Sequence, residues 1–254
     1  DLSEWTDLPG LAGPSTPEQN TSNPWGGPAD LSYEAHLGYD ATNFYLGVKV
    51  TDDIHDPLPG GSNFSADGVQ FAIGEGSTRV EIGVAYADGV NDVFRYSPGT
   101  ATLPPSAIQL KGQRTATATN YEMIVPWRSV RSAAPAPGQV IPFTLKINER
   151  DGGSVRKGYV EWTKGIAGSK DVSKFGKLEL LRPEQTWTTW MTGPEVVING
   201  ESAQYSLYVL NSGGTPNVTA FAVGQRGGLL RIGTRDLPDA LGAAQVSVTP
   251  DGER

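Results

Sequence analysis

A chain of 254 residues is long enough for one large domain or two smaller ones, each with its own core. With 37% hydrophobic and 19% charged residues, 32 glycines and 19 prolines, its make-up is that of a globular protein of many short strands and turns. A formal charge of -8 with no Lys/Arg cluster argues against nucleic acid or an anionic membrane as partner, and the lack of cysteine excludes disulfides, thiolate metal sites and cysteine nucleophiles.

No stretch carries a sustained helical period with caps, and no apolar run is long enough to span a membrane as a helix. Residues 9–28, rich in Pro, Gly, Ser and Asn, read as a long irregular loop. Then Leu31, Tyr33, Ala35 and Leu37 alternate with polar neighbours, a polar turn follows, and Phe44, Leu46, Val48 and Val50 alternate again. That pattern predicts an antiparallel hairpin. Further strands are expected over 68–73, 78–84, 107–117, 120–126, 140–148 and 177–181, with proline-bearing loops at 98–105 and 133–138. Strands without intervening helices predict antiparallel sheets packed face to face, a β-sandwich.

Residues 182–186 read as a linker, after which strand patterns restart at 195–198, 203–209, 217–223, 229–232 and 244–248. The expected organisation is a first β-sandwich over 1–182 and a smaller immunoglobulin-like β-sandwich over 183–254. A chain that starts at Asp1 without methionine and stops at Pro-Asp-Gly-Glu-Arg reads as a processed part of a longer secreted protein, with other domains of that protein as neighbours.

Three segments carry a family resemblance: Asp1 to Trp5; Asp40 to Asp53 followed by Asp67 to Ile73; and Tyr121 to Trp127 with Gly138 to Phe143, Asn148 to Gly152, Trp162 and Lys174 to Leu178. In order and spacing they resemble the family-nine carbohydrate-binding modules and their DOMON-like relatives over residues 1 to about 182. The resemblance implies a non-catalytic, extracellular module that binds a polysaccharide or oligosaccharide, as an accessory region of a larger polysaccharide-acting protein.

Such modules hold a terminal sugar between two tryptophans, and the matching positions here are Phe64, which can still stack, and Ser169, which cannot. The family's acidic contact falls on Gln70, whose amide can bond a hydroxyl, and its arginine falls on Gly83. Trp25, in the Gly/Pro-rich loop, is a further candidate sugar platform, whereas Trp5, Trp127 and Trp162 suit core packing and Trp187 and Trp190 suit the domain junction. Asp52, Asp53, Asp56 and Asp67 gather around one loop, and calcium, which these modules often carry, is expected on Asp52, Asp53 and Asp67.

Two alternatives stand beside the binding module. The departures at Ser169 and Gly83 allow a structural or interaction domain that has lost the sugar site. A catalytic or haem-binding redox domain on the same fold is the other, although no catalytic motif stands out among the 28 acidic residues, and His36, His55, Met123 and Met191 are the available haem ligands.

Overall fold

The alternation that marks the strands separates the two faces of each sheet. In the computed structural model, β3 (Leu31–Tyr39) and β4 (Asn43–Asp52) form the expected hairpin, with Leu31 opposite Asp52 and Tyr39 opposite Phe44. Asp40 closes the turn by accepting from the backbone N–H of Thr42 and Asn43 and from the Tyr45 hydroxyl. The residues described are 2–5, 10–12, 18–19, 25–153 and 158–180, together with the strand backbones of a second unit.

Residues Asp1–Leu180 form the first unit, built on two sheets. One is five-stranded, in the order β1 (Gly10–Ala12), β3, β4, β10 (Ala118–Pro126) and β9 (Gln109–Arg114). The other is eight-stranded and runs β2 (Glu18–Gln19), β12 (Gly158–Glu161), β11 (Val140–Glu149), β5 (Gly68–Glu75), β6 (Thr78–Ala87), β7 (Val90–Ser97) and β8 (Ala101–Thr102), with β13 (Gly176–Glu179) also paired to β11. All pairs are antiparallel. Between the sheets lies one core, in which Phe44 of the first sheet meets Phe143 of the second edge-on, their ring centroids 5.6 Å apart.

Two short strands cross the segment expected to be an irregular loop: β1 pairs with β3, and β2 with β12. At three and two residues they are too short to show alternation, and pairing protects the edges they join. β7 also escapes the sequence pattern, because only Val93 among its residues is buried in the core while Phe94 and Tyr96 belong to the outer face. The single helical turn α1 (Trp127–Val130) follows Pro126 and buries Trp127. Among the described residues no helix is long and apolar enough to cross a membrane.

The eight-stranded sheet is buried on both faces at its centre. Phe71, Ile73, Phe143, Leu145 and Ile147 face the core, while Gln70, Ala72, Thr144, Lys146 and Asn148 between them are equally inaccessible. Two covers account for this: a 3-10 turn at Gly60–Ser65, and the loop after β12, whose Ile166, Val172 and Phe175 form a small second cluster with Ala72.

The second unit, Leu181–Arg254, is described by its strands alone. β14 (Trp187–Thr192), β15 (Ala203–Asn211) and β18 (Gly242–Val248) form one antiparallel sheet; β16 (Asn217–Val223) and β17 (Leu229–Asp236) form another. The strand expected at 195–198 and the side chains of Trp187, Trp190 and Met191 lie outside the described residues.

Candidate functional site

Register brings the polar side chains of the outer face together. Lys146 lies opposite Gln70, Gln70 opposite Gly83, and Gly83 opposite Phe94, so one row crosses β11, β5, β6 and β7. Gln70 Oε1 accepts from Lys146 Nζ at 2.8 Å and from Asn148 Nδ2 at 2.9 Å, and the Lys146 ammonium lies 4.9 Å from the centre of the Tyr159 ring. A buried ammonium is costly unless it is bonded in this way, so the row is fixed before any ligand arrives.

Beside the row, Glu81 is 1% exposed and holds two cations, Arg79 Nε at 3.0 Å and Lys170 Nζ at 2.5 Å. Above it the 3-10 turn raises Phe64, whose ring is 47% exposed and meets Tyr96 edge-on at 6.2 Å. The Tyr96 hydroxyl takes the Phe64 N–H at 3.0 Å and also bonds the Asn63 side chain, tying the turn to β7. Phe64, Gln70, Glu81, Tyr96, Lys146 and Lys170 line an open cleft of about 540 Å³, within the usual size of small-ligand sites.

Gly83 gives the turn its seat. A Cβ there would overlap Asn63 Oδ1 and lie 2.7 Å from Tyr96 Cε2. Gly83→Ala is therefore expected to lift the turn that carries Phe64, costing about 1–3 kcal/mol of stability, as overpacking does. Thermal melting and ligand titration of that variant should both fall.

Phe64 and Gln70 thus meet in one cleft, and Gly83 lies in its row. Ser169 borders a neighbouring cleft. Trp25 lies elsewhere: it packs against the core, and its indole Nε1 donates to the Leu31 carbonyl at 3.1 Å. Trp5 covers Gly47, Trp127 is fully buried, and Trp162 packs on Phe143 at 5.9 Å. Met123 is buried in the core. Glu81, Lys146 and Lys170, the charged residues of the cleft, and the rings of Phe94 and Tyr96 are what sequence reasoning missed.

A second polar group gathers around Asp52 and Asp67, 2% and 4% exposed. His55 Nε2 lies 2.7 Å from the Tyr86 carbonyl, which can only accept, so the neutral ring carries its proton there and presents the Nδ1 lone pair to Thr119 Oγ1 at 3.4 Å. Nδ1 stands 3.9 Å from one oxygen of each aspartate. Asp67 accepts the backbone N–H of Asp56 and of Arg150, and Asp52 accepts that of Ile54 with Arg114 Nη1 at 3.7 Å. Burial pushes both carboxyls well above the ordinary aspartate range, aided by Asp52 acting on Asp67 and by Asp151 and Asp53 acting on Asp52. Burial, more than its neighbours, lowers the pKa of His55.

One oxygen from each of Asp52, Glu149 and Asp151 lies within 4.8 Å of the others, and the same holds for Asp30, Asp53 and Asp151. That spread matches oxygens placed around one ion at calcium's usual bond length of about 2.3–2.6 Å, so the donor set fits a hard cation. Asp53, which is exposed, shares this second grouping and not the one that joins Asp52, His55 and Asp67.

Residues 12–182 match the family described as carbohydrate family 9 binding domain-like. The chain belongs to that family. Among solved structures, the fold is similar to that of a family 9 carbohydrate-binding module from Caldicellulosiruptor kristjanssonii in complex with cellotriose. The TM-score is 0.53 at 15% identity, covering 72% of this chain and 87% of that one. A structure titled as a family 9 module from the same organism, in complex with glucose, gives a TM-score of 0.52 at 16% identity, covering 72% of this chain and 90% of the other. At these identities the likeness to the two modules is one of fold. No curated protein matched the chain. As a family 9 domain the first unit is an antiparallel β-sandwich.

Proposed function

We propose that the family 9 domain binds a polysaccharide or oligosaccharide in the cleft beneath Phe64, as a non-catalytic, secreted accessory region of a larger polysaccharide-acting protein. One observation carries the proposal: an exposed ring, Phe64, shares one cleft with the prebonded pair Gln70 and Lys146 and with Glu81. Sugars need both parts, a flat apolar surface for the C–H face of a pyranose and planar or charged groups for its hydroxyls. That related modules were solved with cellotriose and with glucose supports the same ligand class. The second unit then serves as an immunoglobulin-like spacer towards neighbouring domains.

Calcium is part of the same proposal. Asp52, Glu149 and Asp151, with Asp30 and Asp53 alongside, would hold it through hard oxygen donors, and Asp67 would support Asp52 from the His55 side. The ion would neutralise carboxylates that are costly to bury together.

The test is gel retardation and calorimetry against cellulose-, xylan- and mannan-derived glycans, comparing the parent with Phe64→Ala. Because Phe64 is half exposed, the variant should melt within a few degrees of the parent while its affinity falls about tenfold or more. Undiminished binding would move the site away from Phe64. Silence against every glycan class would favour the scaffold reading, in which Gln70 satisfies Lys146 and Asn148 and nothing else.

A further inference from the structure

A second open cleft, of about 660 Å³, adjoins the first on the outer face of the eight-stranded sheet. Its lining includes Ser77, Pro142, Ser169, Val172 and Lys177, and it shares one residue with the Phe64 cleft, Lys170. That shared residue has a positive φ of 51°, a conformation unusual for a side chain larger than glycine, asparagine or aspartate. Two bonds to β6 hold it there: Arg79 Nη1 donates to the Lys170 carbonyl at 3.3 Å, and Lys170 Nζ reaches Glu81 Oε1 at 2.5 Å. Strain of this kind persists where the surroundings over-determine it, and it gathers at sites of function.

The anchoring holds the Lys170 ammonium on Glu81, which is 1% exposed, so the residue common to both clefts is tied to β6. The two residues before it are exposed and small, and a Cβ on Gly168 would meet nothing within 4 Å. None of the residues lining the second cleft is aromatic. The exposed Phe64 ring lines the first.

We infer that the two clefts are one groove, passing over Lys170, that binds an internal run of several sugar units of a polysaccharide chain and not a single terminal unit. Each cleft alone has the size of a small-ligand site, so the two joined at Lys170 have space for a chain. The far section offers what a sugar needs in a second subsite: the Ser77 and Ser173 hydroxyls and the Lys177 ammonium beside the apolar edges of Pro142 and Val172. This inference rests on the carbohydrate reading above.

The experiment is calorimetry on the full chain with cello-, xylo- and manno-oligosaccharides, each as disaccharide and hexasaccharide, with free and with borohydride-reduced ends. In the series that binds, the hexasaccharide should bind at least about tenfold more tightly than the disaccharide, and end reduction should leave its affinity unaltered. Ser169→Trp, which raises a ring next to Lys170, should bring the hexasaccharide down to the disaccharide's level. Lys177→Glu, at an exposed position, should weaken the hexasaccharide in the same direction. Melting curves confirm that both variants are folded. Equal affinity for the two lengths, or loss of binding on end reduction, would overturn the groove while leaving the Phe64 cleft as a sugar site. If no oligosaccharide of any series binds the parent chain, the carbohydrate reading and the groove fall together.

Discussion

Trp127→Ala is expected to lower the melting temperature of the first unit by roughly 10 °C or more, the largest effect of any single substitution considered. The ring is 1% exposed and packs against Phe44 with centroids 5.7 Å apart. Phe44 touches Phe143, and Phe143 touches Trp162, so four rings run in sequence through both sheets. Trp127 also fastens the β3–β4 turn, since its indole Nε1 donates to the Asp40 carbonyl at 2.9 Å and its backbone N–H to Thr42 at 2.9 Å. Removing a buried tryptophan costs about 3–5 kcal/mol, and a domain of this size loses about 2–4 °C per kcal/mol. Trp127→Phe keeps most of the volume and forgoes the indole bond, at about 1–3 kcal/mol. Circular dichroism melts of the two variants measure the ladder. A fall of less than about 3 °C for the alanine variant would mean that the ring sequence carries little of the stability.

The second large effect is on pH. In a chelator, the first unit is expected to lose stability as pH rises from about 4 to about 8. Burial raises the Asp52 carboxyl to about 7 and the Asp67 carboxyl to about 8, each against an ordinary value near 4. Between those limits the folded state binds protons that the unfolded state has released, so raising the pH favours unfolding. The contribution is complete below about pH 4 and gone above about pH 8, the reverse of what an ion-paired surface aspartate does. Each proton that only the folded state retains costs about 1.4 kcal/mol for every pH unit of that window, so the loss is of the order of several kcal/mol, moderated by the coupling between the two groups. A cation bound at Asp52, as proposed, would do the work of its proton, and at a hundred times its dissociation constant it would return about 2.7 kcal/mol. Urea melts at pH 5 and pH 8.5, in chelator and in calcium, should therefore diverge in chelator and converge in calcium. Identical melts in chelator at both pH values would show that Arg114 and the backbone N–H groups of Ile54, Asp56 and Arg150 keep the carboxylates ionised. Asp67→Asn should flatten the chelator profile.

The hairpin of β3 and β4 was legible because its alternation runs nearly unbroken from Leu31 to Val50. Phe64 and Gln70 were legible through the family resemblance, which marked their positions without showing that they share a cleft. Glu81 and Lys146 were not, since a charged residue inside a strand normally reads as its solvated side. Only the register that sets Ala72 against Glu81, and Gln70 against Lys146, places them at one site, and register is a property of two strands at once. The acidic group divides in the same way. Asp52, Asp53 and Asp67 stood out as near neighbours in the chain, whereas Asp30, Glu149 and Asp151 arrive from distant segments. β1, β2 and β12 had too few residues to show a period.

The central strands of the eight-stranded sheet have hydrocarbon on one side and a hydrogen-bonded polar tier on the other, each under its own cover. Such an arrangement sets an order of opening. The outer cover rests on the four residues Ala72, Ile166, Val172 and Phe175 and a few polar ties, far less than the inter-sheet core, so it can lift without the sandwich coming apart. Backbone amides of Ile166 and Ala167, which bond the Glu161 carboxylate, would then trade their hydrogens for deuterium well before those of β5 and β11. A sugar chain lying along that cover would slow the exchange there and leave the buried strands at their own pace, giving each tier its own clock.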